Sequence, residues 1–170
     1  SNRKNDTLGN DNTTDFLNAD YDVFVYDFKT KSPVLTRITN TPIDNEIMPF
    51  HVKNNEFLFL SDENGIINRE LAKFDSTINY IDTVTHYRYF TETKTLTNYS
   101  RNILQHNVNI SGNSYSEILF KNSKHELFTN TLDYNSFVEN KFQTTYKKNL
   151  IKKSLELDSI QKNKKVNITK

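Results

Sequence analysis

Four histidines, His51, His86, His106 and His125, are the obvious candidates for chemistry in this chain. They are scattered over different predicted strands and turns, with neither i, i+4 nor His-x-His spacing. A tetrahedral metal site needs three or four such ligands converging on one point. Each therefore reads as a half-exposed strand residue, and no metal is expected. The three glycines, Gly9, Gly65 and Gly112, lie too far apart for a phosphate-cradling loop. No Gly-x-Ser-x-Gly elbow or other nucleophile motif stands out. Asp11, Asp15, Asp20 and Asp22 lack the central Gly and terminal Glu of an EF-type calcium loop and read as a solvated arm. Asp62, in Ser61-Asp62-Glu63-Asn64-Gly65, reads as a turn cap acting through its own side chain. The chain has no cysteine, which removes thiolate and disulfide chemistry alike. The expectation is a non-enzymatic chain with no cofactor.

One cluster could act by contact instead. Tyr87, Tyr89 and Phe90, with Arg88 between them, form a candidate aromatic contact surface. On a strand such residues also pack in a core or across neighbours. Nucleic acid is not expected, because residues 1–140 carry 13 Lys+Arg against 19 Asp+Glu and lack the basic footprint that phosphates require. Residues 141–170 invert that balance, with nine Lys against Glu156 and Asp158. Such a tail is either solvated or lies on an acidic partner or an anionic membrane surface.

The elements that position these residues follow from periodicity. At 170 residues the chain has room for one ordinary domain, and a 12% aromatic share within 35% hydrophobic residues makes Phe and Tyr a large part of any core. Residues 1–20 are a polar arm. Tyr21–Phe28 alternates with period two, Val23 and Val25 on one face and Phe24, Tyr26 and Phe28 on the other. A turn at residues 29–33 leads into a second strand, Val34–Thr39. Ile47–Val52 and Glu56–Ser61 form the next pair around Asn54 and Asn55, residues that tolerate positive φ. Phe57-Leu58-Phe59-Leu60 is apolar on both faces, as suits a strand covered on two sides. Ile67–Asp75 reads as the most polar and outermost strand so far. Residues 76–86 interrupt the pattern as an inserted loop, and Tyr87–Leu96 resumes it. Strands Ile103–Ile110, Tyr115–Lys121 and Glu126–Leu132 follow, separated by short polar turns.

An internal repeat links these strands. Ile38-Thr39-Asn40 matches Leu96-Thr97-Asn98, 58 positions on, and each is followed by a polar stretch, two strands around a short turn, and a closing strand. The spacing exceeds the ~40–50 residues of common propeller repeats; the insertion at 76–86 accounts for the excess. Beyond it, Val138, Phe142, Tyr146, Leu150, Ile151 and Leu155 recur at helical spacing and predict an amphipathic helix over about 137–160, with Ser136 and Glu139 as a capping box.

The stretch 35–75 resembles the TolB-like (Pro-Asp repeat) β-propeller family. The matching residues are Ile38-Thr39-Asn40, Glu46-Ile47-Met48-Pro49-Phe50, Phe57–Leu60 and Ser61-Asp62-Glu63-Asn64-Gly65, with Tyr21–Phe28 similar to the family's strand before a short turn. The family's Ser-Pro-Asp-Gly hairpin is replaced by Val52-Lys53-Asn54-Asn55, and Glu63 stands where Arg is usual. Weaker matches extend over 96–132. The resemblance implies an all-β fold of antiparallel four-stranded propeller blades over residues 21–133, followed by a basic C-terminal helix and tail over 134–170. It also implies a protein-interaction scaffold of a bacterial cell envelope, periplasmic or outer-membrane-associated, with Phe24, Tyr26, Pro49, Phe57, Phe59, Gly65 and Phe120 important for the fold.

The Asn/Lys/Thr-rich style is similar to envelope proteins of Bacteroidota, and in that context the Asp-Ser/Thr pattern marks Thr7, Ser76, Thr83 and Ser159 as candidate O-glycosylation sites. Nine strands make about two blades, fewer than the four to eight that close a propeller, and two blade faces would be left open. A chain beginning at Ser1 reads as processed or cut from a longer polypeptide. The expected partners are therefore other proteins or the remaining blades of a parent chain. The alternatives are an accessory propeller of a serine peptidase, a glycan-binding β module with Tyr87, Tyr89 and Phe90 as its platform, and, for the fold, a β-sandwich with an added helix.

Overall fold

The computed structural model describes residues 21–31, 33–109, 111, 113–135, 138 and 142–168. It is mostly β, with antiparallel sheets and one C-terminal helix. A two-stranded sheet joins β1 (Phe24–Val25) to β2 (Thr36–Arg37). A four-stranded meander follows: β3 (Glu46–Lys53), β4 (Glu56–Ser61), β5 (Asn68–Ile81) and β6 (Thr85–Thr95). Then comes a three-stranded meander of β7 (Ile103–Val108), β8 (Ser114–Lys121) and β9 (Lys124–Thr131). Helix α1 spans Thr145–Ile168.

The turns are set by local chemistry. Asn54 and Asn55 (φ 44° and 61°) close β3–β4, and Asn122 and Ser123 (φ 51° and 61°) close β8–β9; paired positive φ values give the twist that tight hairpins need. Asp27 caps the turn after β1 by accepting from the N–H groups of Lys29 and Thr30. Within β3 the ladder slips between Ile47 and Phe50, where Met48 takes φ 52° beside Pro49. Proline lacks the N–H that a regular ladder would use there.

The four-stranded sheet is covered on both faces. Alternation along β4 sends Phe57 and Phe59 one way, with Ala72 and Phe74 of β5, onto Val23, Val25 and Ile38. It sends Leu58 the other way, with Leu71 and Leu96, onto Val108 and Tyr115 of the three-stranded sheet. Phe57 to Leu60 are all buried, as their two-sided apolar pattern requires. Each such side chain contributes roughly 1.5–3 kcal/mol through burial.

The repeat read from Ile38-Thr39-Asn40 and Leu96-Thr97-Asn98 recurs atom by atom. Ile38 N donates to Val23 O at 2.8 Å, and Leu96 N to Arg69 O at 2.9 Å. Val23 N donates to Thr39 Oγ1, and Arg69 N to Thr97 Oγ1, both at 2.8 Å. Thr41 N reaches Asp22 Oδ1, and Tyr99 N reaches Asn68 Oδ1. Glu46 N donates to Tyr21 O, and Ile103 N to Ile67 O, so β3 and β7 start in the same way. From Val23 to Ile38 the chain runs 15 positions and from Arg69 to Leu96 it runs 27; the 12 extra positions lie in the β5–β6 hairpin.

Several expectations are corrected. Residues 76–86 are no loop: β5 and β6 continue through them as a projecting hairpin arm, closed at residues 82–84, where Asp82 Oδ1 accepts from Val84 N. β5 is internal, between β4 and β6, and Asn68, Arg69 and Glu70 are buried in it because neighbouring strands supply their partners. The first hairpin has two-residue strands where six to eight residues were expected. Val23 enters the core while Tyr26 and Phe120 are exposed, Phe24 is half-buried and Pro49 is exposed. The Asp62 carboxylate does not cap its own turn. Ser61 Oγ and Asn64 Oδ1 do, accepting from Glu63 N and Ile66 N, while Asp62 accepts from Asn45 N, Asn45 Nδ2 and Lys147 Nζ.

The helix also differs from its expected form. It runs over 145–168, not 137–160, and its N-cap is Thr144, whose Oγ1 accepts from Lys147 N at 3.2 Å. Ser136 and Glu139 lie outside the described residues. At 100° per residue, Tyr146, Leu150 and Leu157 fall on one side and Ile151 and Leu155 on another, so there is no single apolar face. Phe142, Tyr146, Leu155 and Leu157 are exposed. Among the described side chains of the helix the buried one is Lys147, which bonds to Asp44 Oδ1, Asp62 Oδ1 and Ile43 O, each at 2.9 Å. Burial alone would lower the Lys147 pKa, but the two carboxylates hold it above its ordinary value. Gly65, at φ +86°, lies so close to the cap that an added Cβ would stand 2.0 Å from Thr144 Oγ1.

Candidate functional site

A cleft of about 500 Å3 opens between the segment that follows β2 and the face of β4, β5 and β6. The repeat motif builds its floor. Thr39, fixed by Val23 N, donates through Oγ1 to Glu46 Oε2 at 3.1 Å, and Thr41 Oγ1 donates to Glu46 Oε1 at 2.6 Å. Glu46 is 4% exposed; burial, with the nearby charges of Asp22 and Asp44, pushes its carboxyl up to about 7 against the two threonine bonds. Glu70 beside it is also raised, by burial first, then by the charge of Glu63 and the hydrogen bond shared with it. The floor can therefore hold protons near neutrality and offer hydrogen bonds of either sense.

The wall is aromatic. Tyr89 of β6 stacks on Phe74 of β5 with centroids 5.6 Å apart and planes 2° from parallel, and Phe90 lines the cleft beside them. Tyr89 is 63% exposed, leaving a ring face free for contact. Of the three expected contact residues, Tyr89 and Phe90 meet at the cleft, and Tyr87 stands farther out on the arm, exposed with Ile78, Tyr80, Ile81 and Val84. Glu46, Glu70 and Phe74 were missed by sequence reasoning. The signal for Glu46 was available, since it follows Thr39 at the start of a repeat.

His106 is the one histidine that departs from the half-exposed expectation by being buried. Its Nε2 donates to Met48 O at 2.7 Å and its Nδ1 accepts from Arg69 Nε at 3.4 Å; burial depresses its pKa to about 4. His51 and His125 are exposed, and His86 stacks on Tyr80 at the arm. Among the described residues no three His, Asp or Glu side chains converge as metal ligands. The candidate modification sites are dispersed. Ser76 is exposed within β5, Thr83 lies in the arm's turn, Ser159 donates to Glu156 O on α1, and Thr7 lies outside the described residues.

The basic tail is partly committed. Lys147 is spent on Asp44 and Asp62, while Lys148, Lys152 and Lys153 are exposed. No helix among the described residues is long and apolar enough to cross a membrane. Beyond the cleft, the outer face of the three-stranded sheet exposes Leu104, Phe120 and Leu127. Compared with known proteins, the chain matches no family model, no curated protein and no solved structure.

Proposed function

We propose that this chain is a non-enzymatic protein-docking scaffold, a run of TolB-like propeller blades in a bacterial cell envelope, periplasmic or outer-membrane-associated. The observation that carries the reading is the repeated set of backbone bonds anchored by Thr39 and Thr97, which stacks each sheet on the next in one way. Such a stack leaves an apolar face at its end, here Leu104, Phe120 and Leu127, and exposed apolar faces of that kind are received by other polypeptide. The occupant is a further blade of a parent chain or a partner's sheet. An apolar-sensing fluorescent dye should bind the isolated chain, and Phe120→Ser with Leu127→Ser should remove most of the signal. A chain that binds no dye would overturn the reading.

A second reading has one specific observation behind it. The exposed ring of Tyr89, backed by Phe74 above a carboxyl-floored cleft, has the makeup of a sugar platform. Glycan binding lost in Tyr89→Ala would support it, and glycan binding that survives that change would remove it.

A further inference from the structure

β6 is an edge strand. Its ladder is with β5, and its other side pairs with no strand among the described residues; near its C-terminal end Val138 N donates to Thr95 O at 3.1 Å and Lys94 Nζ donates to Tyr134 O. An open edge is a template for another strand, and proteins blunt such edges with proline, bulges or shortness. β6 has eleven residues and no proline, and the irregularity in its hairpin falls between Ile78 and Tyr80 on β5. It also presents exposed Tyr87 and Tyr89.

The strand's charges are symmetric about Phe90. Arg88 lies two residues before it and Glu92 two residues after, on the same face by strand alternation. Both are exposed, and neither closes an ion pair among the described residues; Lys73, across the ladder from Glu92, is bonded to Asp75 at 3.1 Å. We propose that β6 is a self-association edge, on which β6 of a second copy of this chain pairs antiparallel with Phe90 opposite Phe90. In that register Arg88 of each copy stands opposite Glu92 of the other, twice, and Tyr89 stands opposite Thr91. Opposed unlike charges and aromatic pairs stabilise a ladder, and opposed like charges weaken it. A slip of two residues one way sets Arg88 against Lys94, and the other way sets it against Phe90, so the charges select one register. The two four-stranded sheets then become one continuous sheet. This inference is independent of the open end face and of the scaffold reading.

The test is charge reversal, read by sedimentation velocity from micromolar to millimolar concentration. The native chain should dimerise. Arg88→Glu alone and Glu92→Arg alone each set like charges opposite one another twice, and each should weaken the dimer by about tenfold or more. Mixing those two variants in equal amounts should restore a heterodimer, because each reversed strand then meets its complement. The double variant should restore the homodimer. Both positions are exposed, so folding is checked simply by unchanged circular dichroism. A native chain that is monomeric throughout, single reversals that dimerise as well as the native chain, or a mixture that stays monomeric would each overturn the proposal.

Discussion

Arg69 Nη2 donates to Glu117 Oε2 at 2.6 Å, with both side chains almost wholly out of solvent, and so joins the middle of the four-stranded sheet to the three-stranded one. The guanidinium also lies 3.8 Å from the Tyr115 ring centroid, and Tyr99 donates its hydroxyl to Glu117 Oε1 at 2.9 Å. Burial, then the Glu117 bond and charge, raises the Tyr99 pKa. Removing one partner strands a buried charge, so Arg69→Met or Glu117→Met should each lower unfolding free energy by roughly 3–5 kcal/mol. Replacing both by methionine should cost much less than the sum. Urea denaturation of the four proteins measures this coupling.

Thr39 and Thr97 should behave as equivalents. Each hydroxyl accepts a buried backbone N–H, from Val23 and from Arg69. Valine keeps the shape but leaves that donor unpaired, at roughly 1–3 kcal/mol. Thr39→Val and Thr97→Val should fall in that range, and the corresponding serines should cost less. Valine variants as stable as the native chain would contradict the repeat's role.

The helix should be separable from the sheets. Lys147 and the Thr144 cap against Gly65 tie its first turn down, while Leu155 and Leu157 farther along are exposed. Lys147→Ala should speed amide exchange through α1 while β4 and β5 stay protected. Gly65→Ala should do the same and also strain a backbone at φ +86°.

Three buried groups, Glu46, Glu70 and His106, give stability an optimum in pH. Glu46 is raised from 4.5 to about 7, so its contribution is fully present below the unfolded value and is lost as pH rises through 7. His106 is lowered from 6.5 to about 4, so its contribution is present above 6.5 and is lost as pH falls through 4. Glu70, raised to about 8 by burial, adds to the alkaline loss, so stability should be greatest in mildly acidic solution and decline as pH rises toward 8 and as it falls through 4. Glu46→Gln should flatten the alkaline side by roughly 2–3 kcal/mol and leave the acid side in place. Guanidinium titrations across the pH range check both limbs.

Much of the strand order was legible because its signals are local. Asn54-Asn55 marked a turn, Phe57–Leu60 marked a strand covered twice, and the Ile-Thr-Asn recurrence marked the stacking motif. The misreadings came from long-range partners. Asn68, Arg69 and Glu70 look like a solvated edge until Thr97, Glu117 and Ser61 are brought to them. Lys147 looks like part of a basic face until Asp44 and Asp62 enclose it. The inserted residues 76–86 looked like a loop because Asp75 and Ser76 are poor strand formers; cross-strand pairs such as Ile78 with Tyr87 carry the hairpin through them. At the cleft, Tyr89 and Phe90 were visible as aromatics on one strand. Glu70 was not, since burial of a carboxylate leaves no trace in local pattern, and Glu46 was marked only by its place after Thr39 in the repeat.

The most direct measurement is photo-crosslinking from the open end face in the native host, with a photoreactive amino acid at Leu127 and a control at Asn54 in the exposed β3–β4 turn. Crosslinks are expected from position 127 to a β-sheet segment, of a parent chain or of a partner, that vanish with Phe120→Ser, and none from position 54. Position 127 reacting only with water would contradict the scaffold reading.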